Sequence, residues 1–380
     1  MEIKAEREFA SHPLLKGRTA EFFDSIPPSA WPLHPKGSLL IVRHRGSFLR
    51  PCPATPRHTC CGLNIFHFGQ GCPFGCSYCV LEAYLGSGAL VIFGNVEDGL
   101  RELEERLGPG GNPLPGENPI LGESPILGEN PGPALGDLEK KTPGSLRYST
   151  GEFADSLLFD RETGLAERLV EIFARQKRAV LELKSKNADV GHLLDLPHKG
   201  RSVFSFSVNA PRISLIHESG ASPLKERIEA AGRLSDRGWR VGFHFDPVVC
   251  FPGWEREYRL TVDSIFRRVD PGSIAWISLG CFRYLPALKK ERLALSPDLF
   301  TPEFVRAADG KARYPRPLRL KMYRLLLDAL SPRLGPETIV YLCMESGAVW
   351  RELFGRDPGT EGLAALFGRA PEARPEENEA

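Results

Sequence analysis

From residue 63 to residue 343, short apolar runs alternate with longer stretches in which apolar residues recur every three or four positions. The first run, 63–68, reads as an extended segment that leads into a loop and then a helical stretch through Glu82 and Leu85. Residues 97–107 carry Leu100, Leu103 and Leu107 at helical spacing. Further strands are expected at 145–150, 179–183, 203–208, 239–245, 274–279 and 338–343. Helices are expected at 165–176, 223–237, 255–268 and 318–330, with a short one near 190–194. Strands alternating with helices of ten or more residues imply a parallel sheet joined by right-handed crossovers. Six or seven such units predict an α/β protein built on a full or partial (β/α) barrel.

The rhythm fails in three places. Residues 1–61 hold several prolines and no clean periodicity, and read as an N-terminal extension wrapped on a barrel that spans 62–355. Residues 108–144, with the near-repeats NPILGE and SPILGE, are too rich in Pro and Gly to build a packed core and read as a flexible insertion. Residues 369–380 read as a disordered tail.

Composition narrows the class. The chain has 380 residues, 42% hydrophobic and 26% charged, as in water-soluble globular proteins. No run of 18 apolar residues occurs, and the N-terminus lacks the apolar core of a secretory signal, so a cytoplasmic protein without a membrane partner is expected. A net charge of +1 is not that of a dedicated nucleic-acid binder. Nine cysteines change the picture, because six lie between Cys52 and Cys79, and clustered cysteines in such a setting point to metal or redox chemistry.

Barrels keep their chemistry at the C-terminal ends of their strands. There the sequence sets, in order, Cys72, Cys76 and Cys79; Ser149 to Glu152; Lys184 and Lys186; Ser207 and Asn209; His244 and Asp246; Cys281 with Arg283; and Cys343 with Glu345. His244 and Asp246, two apart on a strand, share a face and are candidates to bind polar substrate groups or shuttle protons. The structural reading of the same pair is a satisfied buried histidine–carboxylate contact.

The loop GQGCPFGCSYC carries the sharpest signal. Three residues separate Cys72 from Cys76, and two separate Cys76 from Cys79. Thiolates are the usual ligands of iron–sulfur clusters, and a loop with Gly71, Pro73 and Gly75 can curl around a [4Fe–4S] cube. Three local ligands leave one iron open to the amino and carboxylate groups of S-adenosylmethionine (SAM). An electron from the reduced cluster then cleaves the sulfonium to a 5′-deoxyadenosyl radical. The alternative is a structural zinc completed by Cys60, Cys61 or His67, in a non-catalytic nucleic-acid-binding protein. No second Cys-x2-Cys pair accompanies it.

The spacing, closed by Tyr78-Cys79 after the first strand, resembles the signature of the radical SAM superfamily. That resemblance implies a partial (β/α)6-type radical SAM barrel, a role for Tyr78 near the adenine, and a role for Gly151-Glu152 at the SAM amino group. It also implies an external electron donor of the flavodoxin or ferredoxin type. Beyond the loop, roughly 62–350 resembles the spore photoproduct lyase family, which reverses a thymine dimer in DNA. The match rests on Ser207 and Asn209, on the run from Glu218 to Arg227, on Gly253-Trp254 and on Lys186. By that likeness Lys186, Ser207 and Asn209 are candidate SAM contacts, and DNA or a nucleotide is the candidate substrate. The chain departs from the family at two places. Val80 stands where the family carries a tyrosine, and no cysteine occurs between Cys79 and Cys250. Cys281 and Cys343, expected to face the barrel mouth, are candidates to replace the missing hydrogen donor.

Overall fold

The computed structural model of the protein describes residues 1–35, 37–53, 58–85, 88–108 and 146–367. Apart from Gly108, the expected insertion and the expected tail lie outside the described residues. Strands in chain order are β1 (Ile3–Glu6), β2 (Glu21–Phe23), β3 (Leu39–Val42), β4 (Leu49–Pro51), β5 (Asn64–Phe66), β6 (Gly69–Gln70), β7 (Leu90–Phe93) and β8 (Leu146–Ser149). They continue as β9 (Ala179–Ser185), β10 (Ser202–Ser207), β11 (Arg240–Val248), β12 (Ile274–Cys281), β13 (Arg283–Tyr284), β14 (Val305–Arg306), β15 (Ala312–Arg313) and β16 (Ile339–Leu342).

The main sheet runs β16-β12-β11-β10-β9-β8-β5-β4. From β5 to β16 it is parallel and strictly sequential, and only β4 joins antiparallel. Sequential parallel order with crossover helices curls a sheet toward a barrel, and this one is a curled, partial (β/α) barrel. Its strands alternate with period two. In β10, Phe204 and Phe206 face the helices while Ser205 and Ser207 face the lumen; in β11, Phe243 and Phe245 alternate with His244 in the same way. The helix Trp254–Arg268 turns Tyr258 onto Phe245, with ring centroids 6.4 Å apart, and buries Trp254, Val262 and Ile265 beneath it. Each such large apolar side chain, fully buried, contributes about 1.5–3 kcal/mol.

Residues 191–195 form successive turns rather than the expected short helix near 190–194. Leu196 and His198 follow at once and Pro197 intervenes, so no room exists for a helical stripe.

A second sheet, β2-β1-β3-β7-β6, packs beside the barrel and draws strands from both sides of the cysteine loop. Strand β7, absent from the sequence reading, pairs in parallel with β3 from Leu39↔Leu90 to Val42↔Phe93. Both strands are apolar at every position and buried on both faces, which hides any period-two signal. The helix Gly359–Phe367 lies against β8 and β16. Phe367 meets Trp276 and Tyr341 edge-on, with centroids 5.6 and 5.0 Å away.

Candidate active site

The cysteine loop hangs over the C-terminal mouth on backbone hydrogen bonds. Gly71 N–H donates to the Phe153 carbonyl (2.9 Å), beyond β8. Ser77 N–H donates to the His217 carbonyl (2.9 Å), and Gly220 N–H donates to the Phe74 carbonyl (3.1 Å), both beyond β10. Gly71 and Gly75 sit at φ 92° and 59°, where a side chain would strain the turn. Gly220 is required for space, since a Cβ there would lie 2.6 Å from the Phe74 carbonyl oxygen.

Cys76 is buried and its thiol is pushed up to about 11, chiefly by burial, while Cys72 and Cys79 are half-buried. Cys79 and Cys76 both add to the upward push on the Cys72 thiol, and Cys79 adds to that on Cys76, so the three sit within electrostatic range of one another. Among the described residues no three His, Cys, Asp or Glu side chains are gathered so as to hold a metal ion. The donor types nonetheless suit a cluster: three soft thiols are carried on one tight loop, and the cation Lys186 lies within electrostatic range of Cys76, where it favours thiolate.

Behind the loop lies a buried polar knot that the sequence did not announce. Tyr78 O–H donates to Glu218, which also accepts from Arg227. Arg227 in turn donates to the Ser207 carbonyl (2.7 Å) and to Ser214 Oγ (2.6 Å). Lys186 Nζ lies 5.6 Å from the Tyr78 ring centroid. Burial opposes ionisation of Glu218, and Lys186 and Arg227 outweigh it and hold the carboxyl below its usual range. The one signal for this knot is Arg227 itself, a charge on the apolar stripe formed by Ile228, Ala231 and Leu234.

Around the lumen, Lys184 Nζ pairs with Glu152 at 3.7 Å, and Gly151 packs so closely on Lys184 that a Cβ would meet its carbonyl at 2.9 Å. Deeper, Glu182 accepts from His244 Nε2 (2.8 Å), Ser205 Oγ (2.5 Å), Trp276 Nε1 (2.7 Å) and Arg147 (2.5 Å). Burial opposes the charge of Glu182, but Arg147 and His244 hold it well below the usual carboxylate range. His244 is depressed by burial, so a neutral imidazole donates to an ionised carboxylate. Asp246 does not pair with His244. It accepts from both terminal nitrogens of Arg283 (3.1 and 3.2 Å), which outweighs burial and keeps it ionised.

Two expected positions turn out otherwise. Cys281 faces the helices, not the mouth: its Sγ lies 3.9 Å from Met322 Sδ, because it falls on the same strand face as Leu279. Asn209 is occupied in tying strand ends together. Its Nδ2 donates to the Pro247 carbonyl (3.0 Å) and its Oδ1 accepts from Tyr258 O–H (2.6 Å) and Ala210 N–H (2.9 Å). Cys343 does face the mouth, 3.6 Å from Arg283. Ser207, nearly buried, is in register with His244 on the lumen face.

The family model described as spore photoproduct lyase matches residues 133–280. The spore photoproduct lyase of Bacillus subtilis is 28% identical over 204 residues, covering 53% of this chain and 49% of that one. The one from Geobacillus sp. is 23% identical over 201 residues, covering 53% and 50%. The chain thus spans about half the length of the curated relatives it matches. A solved structure of spore photoproduct lyase complexed with dinucleoside spore photoproduct aligns with a TM-score of 0.67 at 18% identity, covering 90% of this chain and 98% of that one. A substituted form with bound AdoMet and the same dinucleoside aligns at 0.68 over the same shares, also at 18% identity. At that identity the structures establish the fold. The sequence matches, over about half of the chain at 28% identity or less, point to the same proteins, so the likeness in sequence and in fold is to spore photoproduct lyases. Among the described residues no helix is long and apolar enough to cross a membrane.

Proposed function

We propose that the chain is a radical SAM enzyme that binds a [4Fe–4S] cluster through Cys72, Cys76 and Cys79 and abstracts hydrogen from DNA or a nucleotide. The observation that carries this reading is the suspension of the three-thiol loop above a polar barrel mouth, by backbone hydrogen bonds to the segments after β8 and β10. When bound, the cluster supplies the electron that cleaves SAM to a 5′-deoxyadenosyl radical. Glu152, half-exposed and paired only loosely with Lys184, is free to accept from the SAM amino group. Tyr78 and Lys186 offer a ring and a cation beside the loop, and Ser207 offers a hydroxyl at the lumen edge. Asn209 supports the site indirectly, by fixing the turn after β10.

The substrate meets Asp246, Arg283 and Cys343 at the mouth. Cys343 is the thiol we assign to return hydrogen to the substrate, since Cys281 points away from the lumen. Arg283 and Lys184 are cations suited to a phosphate-bearing substrate. The free state of all nine cysteines suits a reducing cytoplasm.

Anaerobic reconstitution with iron and sulfide, reduction, and assay of 5′-deoxyadenosine from SAM tests the reading. Turnover in the native chain and its loss in Cys76→Ala are expected. A colourless, zinc-containing protein without product would overturn it in favour of a zinc-stabilised nucleic-acid binder. Binding to thymine-rich DNA that weakens as salt rises is the expected result for the substrate class. Undetectable affinity would remove DNA from the proposal.

A further inference from the structure

A radical SAM cluster must be loaded with one electron at a time by another molecule, so the surface beside the cysteine loop has to receive a partner. Few large apolar side chains stand exposed among the described residues, and four of them flank that loop. Leu215 is 82% exposed and Ile216 50%, on the helix Pro211–His217, whose last residue accepts the backbone hydrogen bond from Ser77. Leu293 is 45% exposed and Leu295 72%. They follow the helix Pro286–Arg292, which packs against the helix Val80–Leu85 that begins directly after Cys79. The two pairs are joined across the surface by His217 Nε2, 2.9 Å from Asp298 Oδ2.

Exposed aliphatics grouped in this way mark protein contact surfaces. Nucleic acid is gripped instead by cations and polar groups on its phosphates. The edge of the patch is basic, with Lys290 exposed and Lys289 half-buried over the Phe300 ring at 5.9 Å. An apolar centre with a basic edge, set against a cluster loop, complements an acidic carrier protein.

We propose that Leu215, Ile216, Leu293 and Leu295, with Lys289 and Lys290, form the docking face for an acidic one-electron carrier protein of the flavodoxin or ferredoxin class. The proposal rests on the cluster reading above. One electron leaves the carrier's reduced flavin or iron–sulfur centre and enters this chain's cluster; no atom is exchanged.

The test compares two reductants on reconstituted holoenzyme: a recombinant flavodoxin with its reductase and NADPH, and dithionite, which needs no docking face. In a Leu215→Glu/Leu295→Glu variant, flavodoxin-driven formation of 5′-deoxyadenosine should fall about tenfold, and flavodoxin affinity, read by flavin fluorescence anisotropy, should fall in parallel. The dithionite-driven rate should stay within about twofold of the native rate. Lys289→Glu/Lys290→Glu should weaken flavodoxin binding at low salt and little at high salt. Unchanged flavodoxin affinity in both variants overturns the proposal. So does equal loss with both reductants, which makes the patch structural, or loss of DNA affinity with flavodoxin binding intact, which makes it a nucleic-acid face. A native chain that yields no 5′-deoxyadenosine even with dithionite fails the cluster reading instead, and the docking face falls with it.

Discussion

Gly220 shows how narrowly single residues hold the site. Its lack of a Cβ lets the turn after β10 touch the Phe74 backbone, so Gly220→Ala should push the cysteine loop outward. Iron content after reconstitution is expected to drop while the thermal unfolding midpoint moves little; equal loss of both would make the contact purely structural. Cys343→Ala should keep SAM cleavage but return less hydrogen to the substrate, raising 5′-deoxyadenosine per product formed, whereas Cys281→Ala should leave that ratio unchanged. That Cys72, Cys76 and Cys79 share one tight loop was legible from their spacing, because such a loop is a local structure. The facing of Cys281 was open to the same reading, since it lies an odd number of positions from Ser278 and an even number from Leu279. Tyr78–Glu218 was not legible, because 140 residues separate its partners.

At the scale of elements, the barrel is knitted by charge across strands. Arg147 on β8 and Glu182 on β9 are almost wholly buried and bridge toward Trp276 on β12 and Tyr341 on β16. Arg147→Met leaves Glu182 without its main counter-charge, and a loss of about 3–5 kcal/mol in urea unfolding is expected. Adding Glu182→Gln should recover part of that loss; no recovery would mean that Arg147 acts through packing on Trp276 and Phe367 instead. From β8 onward the strands of the main sheet and the four long crossover helices were readable within a few residues, because each such helix carries its own apolar stripe, whereas the shorter helices Pro211–His217, Pro286–Arg292, Gly347–Phe354 and Gly359–Phe367 were not. The second sheet was not readable. Its strands are two to four residues long, and its β3–β7 pairing is set by partners about fifty positions apart.

For the whole molecule, a buried histidine at the join between the two sheets contributes to the response to acid. His67 is buried there between Phe93 and Phe153, at 4.8 Å from each ring centroid, and burial, with Arg50 and His44 adding to it, lowers its pKa from 6.5 to about 3. The unfolded chain therefore takes up this proton first as pH falls. The stability that the neutral ring retains is full above 6.5 and is lost below it, by up to about 1.4 kcal/mol per pH unit. Between pH 7.5 and pH 5, His67→Phe should lose about 2 kcal/mol less than the native chain in denaturant titrations. Equal losses would mean that the ring is protonated in the folded state. The helix Gly359–Phe367 bears on the same scale in another way. With Phe367 set among Arg147, Trp276 and Tyr341, it clasps β8 to β16, the last strand of the main sheet. Strands almost two hundred positions apart are thereby held by a segment later still in the chain, and the curl of the sheet belongs to the whole molecule rather than to any one crossover.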